Sequence, residues 1–222
     1  GSPEQAKFLR EIGFNRISLG VQDFNNEVQK AVNRVQSEEL TLSVLEKARA
    51  LGFRSINIDL IYGLPLQTPN TFADTVAKVI EFGPDRLSVF NYAHLPERFM
   101  PQRRVDEAAL PAADSKLEIL HNTIDQLVAS GYHYIGMDHF AKPEDSLAKA
   151  QEAGILHRNF QGYTTHGDCD LLAMGVSSIS MLDRTYYQNH YTIEEYEKVI
   201  SQGELPVTRG VELNDEDVLR RY

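Results

Sequence analysis

Residues 48–65 read ARALGFRSINIDLIYGLP and contain the pattern that decides the fold. A helix-forming stretch ends at Gly52, and an apolar run rich in β-branched residues follows it and closes with polar residues. A glycine that ends a helix just before a β-rich run marks an α-to-β connection. The same arrangement occurs at residues 10–24, 80–96 and 127–143. Because parallel strands need a crossover between them, the repeated unit predicts an α/β fold with a parallel sheet.

Each predicted strand finishes in polar side chains. These are Gln22 and Asp23, Asp59 and Tyr62, Asn91 and His94, and Asp138 and His139. Parallel strands have their carboxyl ends at one edge of the sheet, and this edge is where such folds bind ligands and carry out chemistry. We therefore expect an enzyme whose site lies at this edge.

Periodicity and capping residues set the expected element boundaries. Helical spacing predicts helices at 4–12, 38–51, 70–82, 113–130 and 192–202, and nearly continuous apolar runs predict strands at 16–21, 55–61, 86–91 and 132–138. Ser37, Thr68 and Thr192 are the expected N-caps of three of these helices, and Asp114 is a candidate for a fourth. The regular alternation of helix and strand ends near residue 140, where we expect a domain boundary.

Composition excludes several classes of protein. The chain has 222 residues and a formal net charge of −10, which argues against a nucleic-acid partner and, more weakly, against an anionic membrane surface. No apolar stretch approaches the roughly 20 residues of a membrane span. Cys169 is the single cysteine, so we expect a reducing cytoplasm, no internal disulfide and no cysteine-based metal cage. Both ends look cut, with Gly1-Ser2 resembling the remnant of a cleaved tag.

Asp59, Gln22 and Arg34 each have a structural and a functional interpretation. Asp59 stands among apolar residues, where an unpaired carboxylate is costly, so it either caps a neighbouring loop or contacts a ligand. Gln22 could equally fix a polar ligand or serve as a turn residue, and Arg34 could form an exposed salt bridge. The histidines show no helical metal-binding pair, and we expect no metal held by protein side chains.

Residues 157–165, HRNFQGYTT, are dense in groups that bind ligands. Arg158 could pair with a carboxylate, Gln161 could donate or accept hydrogen bonds, and Tyr163 could pack against a flat ring. This composition suits a flat acidic ligand, although a capped surface loop would account for it too. The three residues are the candidates for a substrate-binding side.

Taken together, GVQDFNNEVQKAVNR, NIDLIYGLPLQTP, LSVFNYAHLP, MDHFAKP and HRNFQGYTT resemble the oxygen-independent coproporphyrinogen III oxidase family of radical S-adenosylmethionine (SAM) enzymes. The resemblance implies the C-terminal part of a partial (β/α) barrel over residues 1–140. It also implies a mixed, substrate-side extension over 141–222 that ends in the start of a helical domain. The family's cluster motif, CxxxCxxC, is missing, so we expect this chain to lack the ligands of the 4Fe-4S cluster and to be inactive alone.

The family likeness also implies a reaction and a set of contacts. The reaction is the oxidative decarboxylation of two propionates of coproporphyrinogen III to vinyl groups, in a monomeric enzyme that binds two SAM molecules and needs an electron donor. Gln22, Arg34, Asp59 and Ala93 match positions that contact the second SAM, and Ile179 matches a contact to the first. No catalytic residue is assigned.

Two other classes of function stay open from the sequence. A haem-binding chaperone on the same scaffold would bind a tetrapyrrole without converting it, although such relatives lack the HRNFQGYTT passage. A metal- or phosphate-dependent (β/α) barrel hydrolase is the other, and it lacks support from metal-ligand spacing or a phosphate-binding glycine loop.

Overall fold

The computed structural model describes residues 3–221, so the predicted tag remnant Gly1-Ser2 lies outside the described residues. Within this range the helices are Pro3–Glu11 (α1), Asn26–Ala31 (α2), Glu38–Ala50 (α3), Pro69–Phe82 (α4), Ala113–Ala129 (α5), Ser146–Glu152 (α6), Ile193–Ser201 (α7) and Asp215–Arg221 (α8). The strands are Arg16–Gln22 (β1), Ser55–Tyr62 (β2), Arg86–Asn91 (β3), His133–Gly136 (β4), His139–Ala141 (β5), His157–Asn159 (β6), Gly162–Thr164 (β7), Ile179–Leu182 (β8), Thr185–Asn189 (β9) and Val207–Glu212 (β10). The elements predicted from periodicity are therefore present, with shifts of one or two residues at their ends.

The main sheet has the strand order β1-β2-β3-β5-β4. The first three strands are parallel, as predicted, with Gly20 opposite Asp59 and Asp59 opposite Ser88. The strand predicted over residues 132–138 is present as β4, which runs in the same direction as the first three strands but ends at Gly136 and is not their direct neighbour. Gly136 and Met137 have positive φ angles of 137° and 49°, so the chain reverses there, and β5 pairs antiparallel between β3 and β4.

Local capping explains where the helices begin and end. Ser37 accepts a hydrogen bond from the Leu40 amide at the start of α3, and Thr68 forms a capping box at the start of α4, as predicted. The suggested Asp114 cap is wrong, because Ala112 holds the N-cap position of α5 without a side-chain hydrogen bond. The short helix α2 was not predicted, and Asn25 caps it by accepting from two backbone amides.

The alternation of side chains along β2 separates two faces of the sheet. Ile56, Ile58 and Leu60 are fully buried on the face covered by helices, in one cluster with residues of α3, α4 and α5. Burying side chains of this size contributes about 1.5–3 kcal/mol each. Asn57 and Asp59 alternate with them and are only half-buried on the opposite face. We call this second side of the sheet the open face.

An ion pair closes the N-terminal end of the sheet. The Arg86 Nε donates to both carboxylate oxygens of Asp145, at 3.0 and 2.9 Å, and the two side chains are only 13% and 6% exposed. Ser55 donates to the same carboxylate, and Arg16 donates to the Ser146 hydroxyl at 3.1 Å. Burial, followed by the neighbouring Arg86 charge, lowers the pKa of Arg16. These hydrogen bonds attach the start of α6 to the first residues of β1, β2 and β3.

The chain forms two compact units. Among the described residues, the first contains 3–156 and 160–165, and the second contains 157–159 and 166–221. The boundary expected near residue 140 would fall inside β5, which pairs with β3 in the first unit. In the second unit, β8, β9 and β10 form an antiparallel sheet, with α7 between β9 and β10 in the sequence and α8 after β10.

Strand β1 forms one edge of the main sheet. Within residues 3–221 it pairs only with β2, and a largely apolar cavity of about 630 Å³ lies along β1, α1 and α3.

No helix in the described part of the chain combines the length and apolar character that crossing a membrane requires.

Candidate cofactor site at the carboxyl end of the sheet

The open face carries polar side chains in the middle of three parallel strands. Ser18 lies opposite Asn57, and Gly20, Asp59 and Ser88 occupy the next row toward the carboxyl ends. Because the strands run in the same direction, these rows lead to one edge of the sheet. The predicted parallel direction of β1, β2 and β3 is confirmed, so the loops that follow these strands begin at one edge of the sheet.

Asp59 does not stand at the tip of its strand, as the sequence suggested, but three residues before the end of β2. Its side chain is on the half-buried open face. Ser18 Oγ donates to one carboxylate oxygen at 2.8 Å, and Asn57 Nδ2 donates to the other at 2.6 Å. Asp59 therefore caps no neighbouring loop, and both of its oxygens are oriented by donors from the sheet.

Gln22 and Arg34 converge on Gly20, directly beside Asp59. Arg34 Nη2 donates to the Gly20 carbonyl oxygen at 2.8 Å. A Cβ at position 20 would lie 2.9 Å from Gln22 Nε2 and 3.1 Å from Arg34 Nη2. These distances are shorter than ordinary contacts, so the lack of a side chain at Gly20 lets both polar groups approach the strand.

Gln22 has two unusual features. Its φ angle is 72°, a conformation uncommon for a residue other than glycine, and the register of β1 with β2 shifts between Gly20 and Gln22. Its Oε1 atom is buried and has no hydrogen-bond partner among residues 3–221. A buried acceptor without a partner costs about 1–3 kcal/mol, so this atom is suited to a donor from a ligand. The backbone strain is consistent with a binding role.

Asp23 has a structural role, in contrast to its neighbour Gln22. The residue is 1% exposed, and its carboxylate accepts hydrogen bonds from Gln67 Nε2 at 2.5 Å, Thr75 Oγ1 at 2.7 Å and the Asn25 amide at 2.6 Å. Gln67 also contacts the Ile61 carbonyl and the Leu64 amide. The network joins the loop after β1 to the loop after β2, which fixes the backbone that carries Gln22.

Ala93 lies just beyond β3, in a segment held by its own side chains. Gln102 Nε2 donates to the Ala93 carbonyl oxygen at 3.0 Å, and Gln102 Oε1 accepts from the Leu95 amide. His94 contacts Tyr92 at 3.0 Å and Glu107 at 3.1 Å. Burial raises the pKa of Tyr92 above its ordinary value. These bonds hold the segment after β3 at the same edge as Gln22.

The substrate-side candidates divide between the two units. Tyr163 and Gln161 belong to the first unit, where the Tyr163 ring meets His139 edge-on at 5.4 Å. Gly136 makes room for Tyr163, because a Cβ at that position would lie 2.5 Å from its hydroxyl oxygen. Arg158 and Ile179 belong to the second unit. Ile179 begins β8 and lines a cavity of about 230 Å³ in that unit.

The arrangement fits SAM but not an iron-sulfur cluster. An amide, a guanidinium and a carboxylate around a glycine backbone match the ammonium, carboxylate, sulfonium and ribose groups of SAM. Cys169 is the chain's single cysteine and is exposed. In the described part of the chain, no group of three or more His, Cys, Asp or Glu side chains is placed to hold a metal ion.

Comparison with known proteins agrees with this chemistry. Residues 1–79 match the sequence model of the radical SAM superfamily. The matched segment contains Gln22, Arg34 and Asp59, so the chain is similar to this superfamily over the part that carries these three residues.

Within that superfamily the chain is similar to oxygen-independent coproporphyrinogen III oxidases, which confirms the resemblance found in the motifs. It is 61% identical to the Pseudomonas aeruginosa protein over 213 residues, which cover 96% of this chain and 46% of the relative. It is 56% identical to the Escherichia coli protein, with 96% of this chain and 47% of the relative covered. The chain thus spans about half the length of these relatives.

A solved structure supports the same assignment of fold. The structure of the Escherichia coli coproporphyrinogen III oxidase, described as a radical SAM enzyme, superimposes with a TM-score of 0.88 at 55% identity. The match covers 100% of this chain and 51% of that chain. The predicted α/β fold, part of a radical SAM barrel, is therefore confirmed, with one antiparallel strand inserted.

Proposed function

We propose that this chain forms one SAM-binding part of an oxygen-independent coproporphyrinogen III oxidase. The observation that carries the proposal is the convergence of Gln22 and Arg34 on Gly20, one strand away from Asp59 on the open face. Three polar groups with different chemistry are thus held together at the carboxyl edge of a parallel sheet. Similarity to coproporphyrinogen III oxidases over 96% of the chain supports the substrate class.

Each residue has a role that follows from its chemistry. Arg34 uses one nitrogen on the Gly20 carbonyl, and its remaining N–H groups would bind the methionine carboxylate of SAM. The buried Oε1 of Gln22 would accept from a ligand amine or hydroxyl. Asp59 would accept from the ribose hydroxyls or lie against the sulfonium. Ala93, with its small side chain and fixed backbone, would leave room for the ligand at the end of β3.

The remaining parts of the proposal concern the whole enzyme. Bound SAM supplies the radical chemistry that removes a hydrogen atom from a propionate side chain, and the residues of this chain bind, orient and shield the cofactor. We assign Arg158, Gln161 and Tyr163 to the tetrapyrrole side. Gln22, Arg34, Asp59 and Ala93 would contact the second of two SAM molecules, and Ile179 would contact the first. We also propose that the whole enzyme is a cytoplasmic monomer that receives electrons from an external donor. The 4Fe-4S cluster is not assigned to residues of this chain.

Replacement of Asp59 in the full-length protein tests the proposal. Asp59→Asn keeps the shape but loses the charge and one acceptor, so SAM should bind about 10-fold more weakly and coproporphyrinogen turnover should fall. Equilibrium dialysis with labelled SAM and an anaerobic decarboxylation assay measure the two effects. Asp125→Asn is the matched control, because Asp125 is exposed on α5. Wild-type binding and turnover in Asp59→Asn would overturn the assignment.

The same assay separates the enzyme from the tetrapyrrole-binding chaperone. An enzyme converts coproporphyrinogen III and releases carbon dioxide, whereas a chaperone binds haem stoichiometrically without turnover. Haem titration in parallel with the decarboxylation assay therefore decides between them.

A further inference from the structure

Asp59 is part of a hydrogen-bond network that spans three parallel strands. Asn57 Nδ2 lies 2.6 Å from Asp59, 3.0 Å from Ser18 Oγ and 3.2 Å from Ser88 Oγ. Ser18 in turn donates to the second oxygen of Asp59, and Ser88 donates to Asn57 Oδ1 at 3.3 Å. We call Ser18, Asn57, Asp59 and Ser88 the open-face network.

The chemistry of these groups fixes the direction of the bonds. An ionised carboxylate only accepts, so the amide nitrogen of Asn57, and not its oxygen, faces Asp59. Ser18 has one hydroxyl proton, which it gives to Asp59 while its oxygen accepts from Asn57. Each carboxylate oxygen of Asp59 thus receives one donor from the sheet. A carboxylate offers about four lone-pair sites, so each oxygen of Asp59 can accept a further hydrogen bond from a ligand.

We propose that Asn57 and Ser18 are positioning residues that fix the orientation of the Asp59 carboxylate for SAM. The proposal rests on the proposed function, because it assumes that Asp59 contacts the cofactor. Neither side chain contributes to the apolar core, whose β2 residues Ile56, Ile58 and Leu60 face the other side. Both side chains donate a hydrogen bond to the same carboxylate group, that of Asp59. A carboxylate held at both oxygens binds a ligand without the entropic cost of being ordered.

Asn57→Asp is the most direct test, in the full-length protein. The substitution keeps the side-chain shape but replaces the donor with a second carboxylate beside Asp59. We expect SAM to bind about 10- to 100-fold more weakly, because a hydrogen bond to a charged group is lost and repulsion takes its place. Ser18→Ala should weaken binding in the same direction, and Ser18→Thr, which keeps the hydroxyl, should restore most of it.

A double-mutant cycle distinguishes positioning from a general structural effect. If Asn57 acts through Asp59, Asn57→Asp should add little further loss of SAM affinity in the Asp59→Asn background. If the loss of SAM affinity in the double variant equals the product of the losses in the two single variants, the two residues act independently and the proposal is overturned. Ser55→Ala is the matched control, since Ser55 is on the same strand and face but donates to Asp145 at the far end. It should leave SAM affinity unchanged.

The outcomes separate this proposal from the assignment of Asp59 itself. Weaker binding in Asp59→Asn with wild-type binding in Asn57→Asp and Ser18→Ala would reject the positioning role and leave the SAM site intact. Wild-type binding in Asp59→Asn would reject the SAM site, and the positioning role with it.

Discussion

Gly20→Ala is a small change with a large expected effect on ligand binding. The added methyl group would lie 2.9 Å from Gln22 Nε2 and 3.1 Å from Arg34 Nη2, so both groups must move away. Both are the ends of flexible side chains, and the strand itself need not shift. Displacing Arg34 breaks its 2.8 Å bond to the Gly20 carbonyl. A hydrogen bond from a charged donor contributes about 1.5–3 kcal/mol, which corresponds to about 10- to 100-fold in SAM affinity if the ligand depends on this geometry.

Stability should be affected less than binding. Alanine in a strand interior is favoured over glycine by about 0.5–1 kcal/mol, which offsets part of the lost hydrogen bond. We therefore expect the free energy of unfolding to fall by about 0.5–2.5 kcal/mol. Chemical denaturation measures this quantity, and isothermal titration of the full-length protein with SAM measures the affinity.

The variant Gln22→Ala tests whether the close contact with Gln22 causes the weaker SAM binding of Gly20→Ala. In a Gln22→Ala background one of the two close contacts is absent, so Gly20→Ala should weaken SAM binding by a smaller factor than it does in the wild type. An affinity for SAM that is unchanged in Gly20→Ala, with the fold intact, would refute the role given to this part of β1.

Two further predictions concern buried groups outside the ligand contacts. Gln67→Ala removes a donor from the buried Asp23 carboxylate and should lower the free energy of unfolding by about 1–3 kcal/mol in urea titrations, and a loss below about 0.5 kcal/mol would contradict this. Burial raises the pKa of Tyr132 well above its ordinary value of 10.0. The unfolded chain therefore loses this proton first, and stability should fall by about 1.4 kcal/mol per unit as pH rises above 10. Tyr132→Phe should make that dependence less steep, while the partly buried Tyr92 still contributes to it, and the same slope in the variant would count against the prediction.

Much of the fold was predictable from the sequence because its signals are local. The glycines that end α3 and α4, the caps Ser37 and Thr68, and the apolar runs of the first three strands all act within a few residues. The inserted strand β5 was missed, because a three-residue strand has no periodicity and its partner β3 is distant in sequence. Helix α2 was missed for a similar reason, since six residues cannot show a helical repeat.

The members of the candidate site could be proposed from the sequence, but their geometry could not. Family motifs indicated Gln22, Arg34 and Asp59, and the rule for parallel strands predicted that the ends of β1 and β2 share an edge. The role of Gly20 depends on side chains that meet only after folding, so no local signal shows it. Asn57 could have been found, because the spacing Asn57-Ile58-Asp59 in a strand puts both polar groups on one face.

The central claim is that Gln22, Arg34 and Asp59 form a single SAM-binding site. A crystal structure of the full-length protein with SAM tests it most directly. We predict polar atoms of SAM within hydrogen-bond distance, about 2.6–3.2 Å, of the Asp59 carboxylate, the Arg34 guanidinium and the Gln22 Oε1 atom. SAM bound elsewhere, with these three side chains contacting only solvent, would contradict the claim.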